Sequence, residues 1–310
     1  MLVLDFINVG EGDATLVRQV EHGETLFSML IDCGHDELVR PSDLSKRIYA
    51  GDFLRQNNIT SLDLLVLTHY HRDHVGGIGR VLAQCHVKEA FATYFPPDTH
   101  DPLDPEADNG LPKGARNVVR WLDAFNCGWQ AWKHKVDTIT TFSGVAIEPR
   151  QPTPDLTISI IPSERGFYPR QTQLYDAVFS GERDPYQLMQ WAKSLNPSSL
   201  RIRLSYHGKD VVIGGDLYGV MWDANTTAPC HILKVPHHGS VSSVTRKMLS
   251  QLQPEICVLS VSSTRHDEKP HPFACSLIQQ YCQHIHCTDA VALEGYLTPV
   301  YHESVHFELE

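Results

Sequence analysis

The chain has 310 residues, 42% hydrophobic and 20% charged, so it is long enough to bury a sizeable core as one large domain or two small ones. Its net charge of -11 argues against a protein that holds nucleic acid on a broad basic surface, although bound cations can supply local positive charge in an enzyme. No apolar stretch approaches the roughly 20 residues that span a bilayer, and the N-terminus lacks the basic region of a signal peptide, so we expect a cytoplasmic protein without a membrane partner.

The first half of the chain opens with strand patterns and then alternates between helices and strands. In chain order the predicted elements are strands at 2–9, 13–20 and 26–34, a helix at 41–58, a strand at 62–68, a helix at 78–85 and a strand at 87–95. Residues 96–114 are rich in Pro, Asp and Gly, which predicts a long exposed loop.

The second half also mixes helices with strands. Its predicted elements are a helix at 115–126, a strand at 155–162, a helix at 185–196, a hairpin at 199–216, a strand and loop at 231–240, a helix at 244–253, a strand at 256–263, a helix at 273–285 and short strands within 291–310. We therefore predict one α/β domain over residues 1–310, with two layered sheets and helices outside them. The loop at 96–114 and a segment around 165–195 are expected to be insertions in this domain.

Cysteine and histidine are used in different ways in this sequence. The eight cysteines are scattered and form no CxxC pair, which argues against a disulfide scaffold and against a thiolate zinc site. We expect them to be reduced and mostly buried. The 18 histidines are numerous, and where they cluster is more informative than their number.

The most informative segment is LDLLVLTHYHRDHVGG, residues 62–77, in which an apolar strand ends in three histidines and an aspartate. His69 and His71 are two residues apart in an extended segment, so they face the same side. Asp73 and His74 follow as the chain turns. Such a cluster suits two adjacent metal ions, with His69 and His71 on one ion and Asp73 and His74 on the other. Imidazole and carboxylate ligands favour zinc, manganese or iron over magnesium or calcium.

HYHRDHVGG resembles the signature of the metallo-β-lactamase superfamily. Further motifs occur in a fixed order: NVGEGDA at 8–14, LIDCG at 30–34, NPSSLRIRL at 196–204, VVIGGD at 211–216, LKVPHHGS at 233–240, and ICVLSVSS with a later HP within 256–272. Together they resemble the hydrolase domain of the ComEC competence family. The resemblance covers nearly the whole chain and implies an αββα sandwich, a two-metal site at one sheet edge, and hydrolysis of DNA strands or other phosphoesters.

The resemblance also implies roles for residues in the second half. Asp216, at the end of a hairpin strand, matches the aspartate that bridges both metals in the family. One of His237 and His238 completes the second metal's ligands; we choose His237, and expect His238 to contact the phosphate or to donate a proton. Asp73 or Asp216 orients or deprotonates the attacking water. Lys234 either steadies the phosphate or faces solvent.

Four further residues are expected near the site. Asp32 is expected to orient the histidine loop through hydrogen bonds. Asp13 either does the same or is a plain turn carboxylate. Asn196 stands where many superfamily members have a third histidine ligand, which implies weaker binding of the first ion and a preference for manganese over zinc. His271 either lines the pocket or is a plain loop residue, because the asparagine expected before HP is missing.

The sequence therefore predicts a metal-dependent phosphodiesterase with two divalent ions, zinc or manganese, as cofactors and DNA as the expected substrate. One alternative is hydrolysis of a small phosphoester, cyclic nucleotide, lactone or thioester, which the net charge of -11 favours somewhat. Another is a catalytically idle metal-binding or partner-binding module in a larger assembly. An effector subunit of a defence system would have protein partners, and the sequence leaves these and the oligomeric state open.

Overall fold

The computed structural model describes residues 1–40, 46–96, 110–142, 147–163, 168–181, 184–222, 228–264, 270–289, 300–301 and 304–310. Its strands are β1 (Leu2–Phe6), β2 (Thr15–Glu21), β3 (Glu24–Ile31), β4 (Ser61–Val66), β5 (His86–Ala92), β6 (Val136–Thr141), β7 (Arg150–Thr153), β8 (Leu156–Ile161), β9 (Arg201–Tyr206), β10 (Lys209–Ile213), β11 (Ile232–Lys234), β12 (Ile256–Leu259), β13 (His284–Cys287), β14 (Val300–Tyr301) and β15 (Val305–Leu309). Its α-helices are α1 (Ala50–Gln56), α2 (Arg72–Val75), α3 (Ile78–Gln84), α4 (Lys113–Trp132), α5 (Tyr168–Phe179), α6 (Pro185–Leu195), α7 (Arg246–Leu252) and α8 (Pro272–Gln279).

The strands form two mixed sheets. The first sheet has the order β15-β1-β2-β3-β4-β5-β6, and the second has the order β14-β13-β12-β11-β10-β9-β8-β7. In the first sheet the neighbours from β3 to β6 run parallel, and in the second sheet those from β10 to β14 do so. The carboxyl ends of β3, β4, β10 and β11 therefore lead into the loops that carry the candidate ligands.

Three hydrophobic cores hold the layers together. The core between the two sheets includes Phe6, Leu64 and Ile202. A second core lies between the first sheet and the helices α1 and α3 to α6, and a third lies between the second sheet and α7 and α8. This is the predicted arrangement of two sheets flanked by helices, and it confirms the expected αββα fold class.

Helix α4 illustrates why these segments fold as they do. Its buried side chains include Ala115, Val118, Leu122 and Phe125, at the three- and four-residue spacing that places them along one stripe of the helix. The opposite side is polar. Burial of that stripe against the first sheet accounts for a helix that runs to Trp132, beyond its predicted end.

Several element boundaries differ from the predictions. The helix predicted at 41–58 begins at Ala50, and residues 41–45 lie outside the described part. The helix predicted at 273–285 ends at Gln279, and its last residues form β13 instead. The elements β6, β7 and α5 were not predicted. Residues 97–109 of the predicted loop lie outside the described residues.

Cysteine burial agrees with the sequence analysis, since seven of the eight cysteines are buried and Cys127 is exposed. Within the described ranges, no helix combines the length and the apolar character needed to cross a lipid bilayer.

Candidate metal centre

The candidate site lies at one edge of the fold, where loops from both sheets meet. Asp32 follows β3 and His69 follows β4 in the first sheet, whereas Asp216 follows β10 and His238 follows β11 in the second. Because the carboxyl ends of parallel strands share one edge of a sheet, segments far apart in the chain bring their polar side chains together here. All four side chains are buried.

The histidine loop is held by a very close approach of the loop that follows β1. Gly12 has a φ of +91°, and a Cβ built on it would lie 1.6 Å from the backbone oxygen of Asp73. The backbone N–H of Asp13 donates a hydrogen bond to that same oxygen at 3.2 Å. Only glycine has both the backbone freedom and the absence of a side chain that this contact requires. The NVGEGDA motif therefore fixes the position of the histidine loop.

The first set of donor atoms consists of His69, His71 and Asp216, whose ligand atoms lie within 4.8 Å of one another. The Nε2 atom of His69 lies 3.1 Å from Nδ1 of His71 and 3.6 Å from Oδ2 of Asp216. The ring of His71 also makes an edge contact with Trp121 on α4, with 5.3 Å between the ring centroids. This set unites the two histidines predicted for the first ion with the predicted bridging aspartate.

The second set consists of Asp73, His74, Asp216 and His238. The Nε2 atom of His74 lies 3.4 Å from Oδ2 of Asp73 and 3.3 Å from Oδ1 of Asp216. The Nε2 atom of His238 lies 3.3 Å and 3.6 Å from the same two oxygens. Asp216 thus turns one carboxylate oxygen to each set, as a bridging ligand would.

These spacings fit metal coordination. Ligand atoms about 2.1 Å from a tetrahedral zinc ion lie about 3.4 Å from one another, which is close to the spacing throughout the second set. Nε2 of His74 and Oδ1 of Asp216 are buried 3.3 Å apart, yet neither atom makes a hydrogen bond of acceptable geometry among the described residues. Orphaned buried polar atoms are costly, so atoms aimed at a common point indicate a ligand there. The donor set, imidazole and carboxylate, is one that zinc and manganese accept.

Hydrogen bonds from the far side of the rings orient the candidate ligands. Nδ1 of His74 donates to Oδ2 of Asp32 at 2.8 Å, and that carboxylate also accepts from the backbone N–H and the hydroxyl of Thr68. Nδ1 of His238 donates to the backbone oxygen of Ser260 at 3.1 Å. Each bond leaves the lone pair on Nε2, the nitrogen that faces the second set. Asp32 therefore lies in hydrogen-bond contact with the histidine loop, and its orienting role stays a prediction.

The buried charges balance one another. Burial alone would raise the pKa of Asp216, but the imidazoles of His74 and His238 hold it well below its usual value. Burial alone would lower the pKa of His74, but the carboxylates of Asp216 and Asp73 hold it well above its usual value. Burial lowers the pKa of His69 far below its ordinary value. The carboxylates at the site are therefore ionised, and their negative charge attracts a cation, either a proton on His74 or a divalent ion in its place.

The structure places the two adjacent histidines differently from the prediction. His237 and His238 both have left-handed backbone conformations, with φ of 47° and 51°, which are uncommon for residues other than glycine. This conformation sends His238 into the second set. Nε2 of His237 instead lies 3.9 Å from Oδ2 of Asp216, on the side of the first set, and 3.3 Å from Nδ2 of Asn196. The sequence-based choice of His237 for the second ion does not match this geometry.

The other predicted residues lie around the sets in different ways. Lys234 is fully buried, where we had expected a contact with phosphate or with solvent, and its ammonium group donates to Asp13. Asn196 is buried near His237, and its Oδ1 has no hydrogen-bond partner in the part of the chain described. His271 is exposed, and its ring accepts a hydrogen bond from the first turn of α8. It acts as a helix cap and is not a member of either donor set.

Three contributing residues were missed in the sequence. Thr68 directly precedes the histidine motif, so its place at the strand end was a usable signal for a role in that loop. Ser260 follows β12 and contributes only its backbone oxygen, for which the sequence carries no signal. Trp121 contacts His71 from the middle of α4, and this contact depends on how the helix packs.

Comparison with known sequences identifies related proteins. A sequence model of the Metallo-beta-lactamase superfamily matches residues 7–262 of the chain. The chain is also similar to ComE operon protein 3 of Bacillus subtilis (strain 168), with 25% identity over 300 residues. That alignment covers 92% of this chain and 32% of the relative, so the chain spans about a third of the relative's length.

The solved structures that match the chain are distant in sequence. The metallo-beta-lactamase fold protein YhfI from Bacillus subtilis is 12% identical, covers 93% of this chain and 96% of its own, and has a TM-score of 0.49. Zn(2+)-bound PqqB from Methylobacterium extorquens is 11% identical over 100% of both chains, with a TM-score of 0.44. A diphosphatase from the PhnP family is 11% identical, covers 100% of this chain and 99% of its own, and has a TM-score of 0.42.

Proposed function

The chain belongs to the metallo-beta-lactamase superfamily of hydrolases, and from this premise we propose that it is a two-metal phosphodiesterase that cleaves DNA. The observation that carries the proposal is the pair of donor sets that share Asp216, one oxygen to each set. Many enzymes that cleave phosphodiesters use two adjacent cations, because the pair stabilises both the attacking and the leaving oxygen.

We assign His69, His71 and Asp216 to one divalent ion, and Asp73, His74, His238 and Asp216 to the other. Asn196, next to His237, supplies a neutral amide where a further histidine ligand would bind more tightly. The first ion therefore has fewer strong ligands from the protein than the second. We propose that manganese, which accepts oxygen-rich coordination, suits the first position better than zinc does.

The protein's own groups then have distinct tasks. Bound ions of this kind supply a nucleophilic water at neutral pH and stabilise the charge of the leaving oxygen. Asp73, whose side chain is partly exposed, accepts the proton of the attacking water. His237 is also partly exposed beside the first set, and the Ser240 hydroxyl lies 2.9 Å from its Nδ1. Nε2 of His237 accepts a hydrogen bond from Nδ2 of Asn196 and its Nδ1–H donates to that hydroxyl, so the two bonds hold the ring beside the first set.

DNA is the proposed substrate because of the motif order. The NVGEGDA and LKVPHHGS segments resemble the competence-type branch, and the similarity to ComE operon protein 3 extends over 92% of the chain. Both motifs contribute residues to the candidate site. The first supplies the close glycine contact with the histidine loop, and the second supplies His238.

A small anionic substrate is the second candidate. The net charge of -11 favours it, because a long polyanion is repelled by the rest of the surface unless cations at the site screen it. This candidate uses the same donor sets and the same residues for proton transfer. The two candidates therefore differ in substrate length and not in chemistry.

The test uses the purified protein with manganese or with zinc and labelled linear, circular and single-stranded DNA. A generic bis-phosphodiester dye serves as the small substrate. Asp216→Asn removes the bridging charge and should abolish cleavage of both substrates. His86→Ala, at the opposite end of the first sheet, removes a histidine far from the donor sets and should cleave like wild type. Cleavage of the dye with intact DNA would favour the small substrate, and no cleavage of either would refute the phosphodiesterase.

A further inference from the structure

Lys234 is the most unusual charged residue outside the two donor sets. It ends β11 with its side chain fully buried, on the same side of the strand as Ile232, which lies in the core between the sheets. A lysine in such a position requires a partner, because an unpaired buried ammonium group is very costly. Its partner is Asp13, from the loop that follows β1 on the other sheet.

Asp13 places this ion pair directly beneath the second donor set. Its Oδ1 lies 3.7 Å from Nδ1 of His238, and its Oδ2 lies 4.0 Å from Nδ1 of His74. Asp13, Asp32 and His74 also form a third group whose potential ligand atoms lie within 4.8 Å of one another. This third group lies at Nδ1 of His74, whereas Nε2 of the same ring faces the second set.

The third group has the composition of a cation site, with two buried carboxylates and an imidazole. The ammonium group of Lys234 binds one of those carboxylates, so a positive charge is already present there. Two buried carboxylates this close repel each other unless a cation lies between or beside them. A lysine side chain supplies that cation permanently, without dependence on the metal supply.

We propose that Lys234 is a positioning residue whose ammonium group takes the place of a third cation behind the metal centre. It holds Asp13 in place under the two ligand histidines and limits the centre to two divalent ions. This inference rests on the proposed two-metal function. It goes beyond that function because it assigns a charge-balancing role to a residue that touches neither donor set.

The experiment measures metal stoichiometry and affinity, not activity. Wild type, Lys234→Met and the double variant Asp13→Asn with Lys234→Met are equilibrated with manganese or zinc, and bound metal is determined by elemental analysis. Methionine keeps a similar volume without the charge. We expect two equivalents in wild type, a third equivalent in Lys234→Met, and two again in the double variant, which lacks the uncompensated carboxylate.

Arg47→Met is the matched control. Arg47 is another fully buried cation, and it joins the first half of the chain to Asp289 near the end of β13. Loss of this ion pair should lower stability without a change in metal stoichiometry. A third equivalent in Arg47→Met as well would mean that any loosened core admits metal, and the proposal would fail.

A result of two equivalents with unchanged affinities in Lys234→Met would overturn the inference, because the lysine would then only join the sheets. If Lys234→Met does not fold, Asp13→Asn decides. It leaves the ammonium group uncompensated, so the second ion should bind roughly tenfold or more weakly while the first is spared. Equal loss of both ions, or of neither, would count against the proposal. Fewer than two equivalents in wild type would instead refute the proposed function itself.

Discussion

Removal of one imidazole at a time distinguishes the two adjacent histidines. We expect His238→Ala to lower the affinity for one of the two divalent ions strongly. His237→Ala should have little effect on the affinity for that ion. The reason is geometric. Nε2 of His238 lies 3.3 Å from Oδ2 of Asp73 and 3.6 Å from Oδ1 of Asp216, within the second set, whereas Nε2 of His237 lies 3.9 Å from the other oxygen of Asp216.

The magnitude follows from the number of donor atoms. A structural zinc site with four protein ligands contributes about 10–16 kcal/mol, so one ligand of the four in the second set corresponds to about 2.5–4 kcal/mol. Since 1.4 kcal/mol is a factor of ten, His238→Ala should weaken the second ion roughly 100-fold to 1000-fold. His237→Ala should weaken it less than roughly tenfold, the low end of effects from groups that do not bind the metal.

The assay is a competition titration against a chromophoric chelator, with each variant's unfolding curve recorded to show that it folds. The two histidines are neighbours in one loop with similar backbone strain, so each variant controls for general damage done by the other. Equal affinity losses would refute the assignment, and a larger loss in His237→Ala would reverse it.

Three further predictions concern the surroundings of the site. Asp32→Asn should weaken metal binding by roughly 10-fold to 100-fold in the same titration, because an amide cannot enforce the ring orientation that the carboxylate does. Gly12→Ala should lower the free energy of unfolding in urea by about 1–3 kcal/mol or more beyond the effect of Gly23→Ala. Gly23 is the control because it has a similar positive φ but nothing within 4 Å of the added Cβ. Burial works to raise the pKa of Asp289, but hydrogen bonds from Arg47 hold it below 3.8. Its stabilising effect is thus present above that pH and lost below it, so the deficit of Arg47→Met in unfolding free energy should shrink as the pH falls through this range.

The candidate ligands on the histidine loop could be recognised from sequence because they are local. His69, His71, Asp73 and His74 lie within one short segment after an apolar strand, so their spacing alone implied two faces and two ions. Asp216 was recognisable because a hairpin strand and two glycines precede it. The fold class followed for a similar reason, since most strands have continuous or alternating apolar patterns that need no knowledge of their partners.

Other features depend on tertiary structure and have no local signal. The choice between His237 and His238 is set by left-handed backbone angles that the sequence does not specify for histidine. The burial of Lys234 depends on Asp13, which is remote in the chain. Strand β13 was merged with the preceding helix because its apolar residues fit both periods, and contact with β12 decides between them.

The division of the donor atoms between two sheets has a consequence for biogenesis. A nascent chain that has emerged only as far as β6 presents the histidine loop without Asp216 or His238, so it retains divalent ions no better than a short peptide does. We therefore expect ion uptake at the proposed centre to follow docking of the two halves. We expect separation of the two sheets to release any bound ions, because it divides both donor sets.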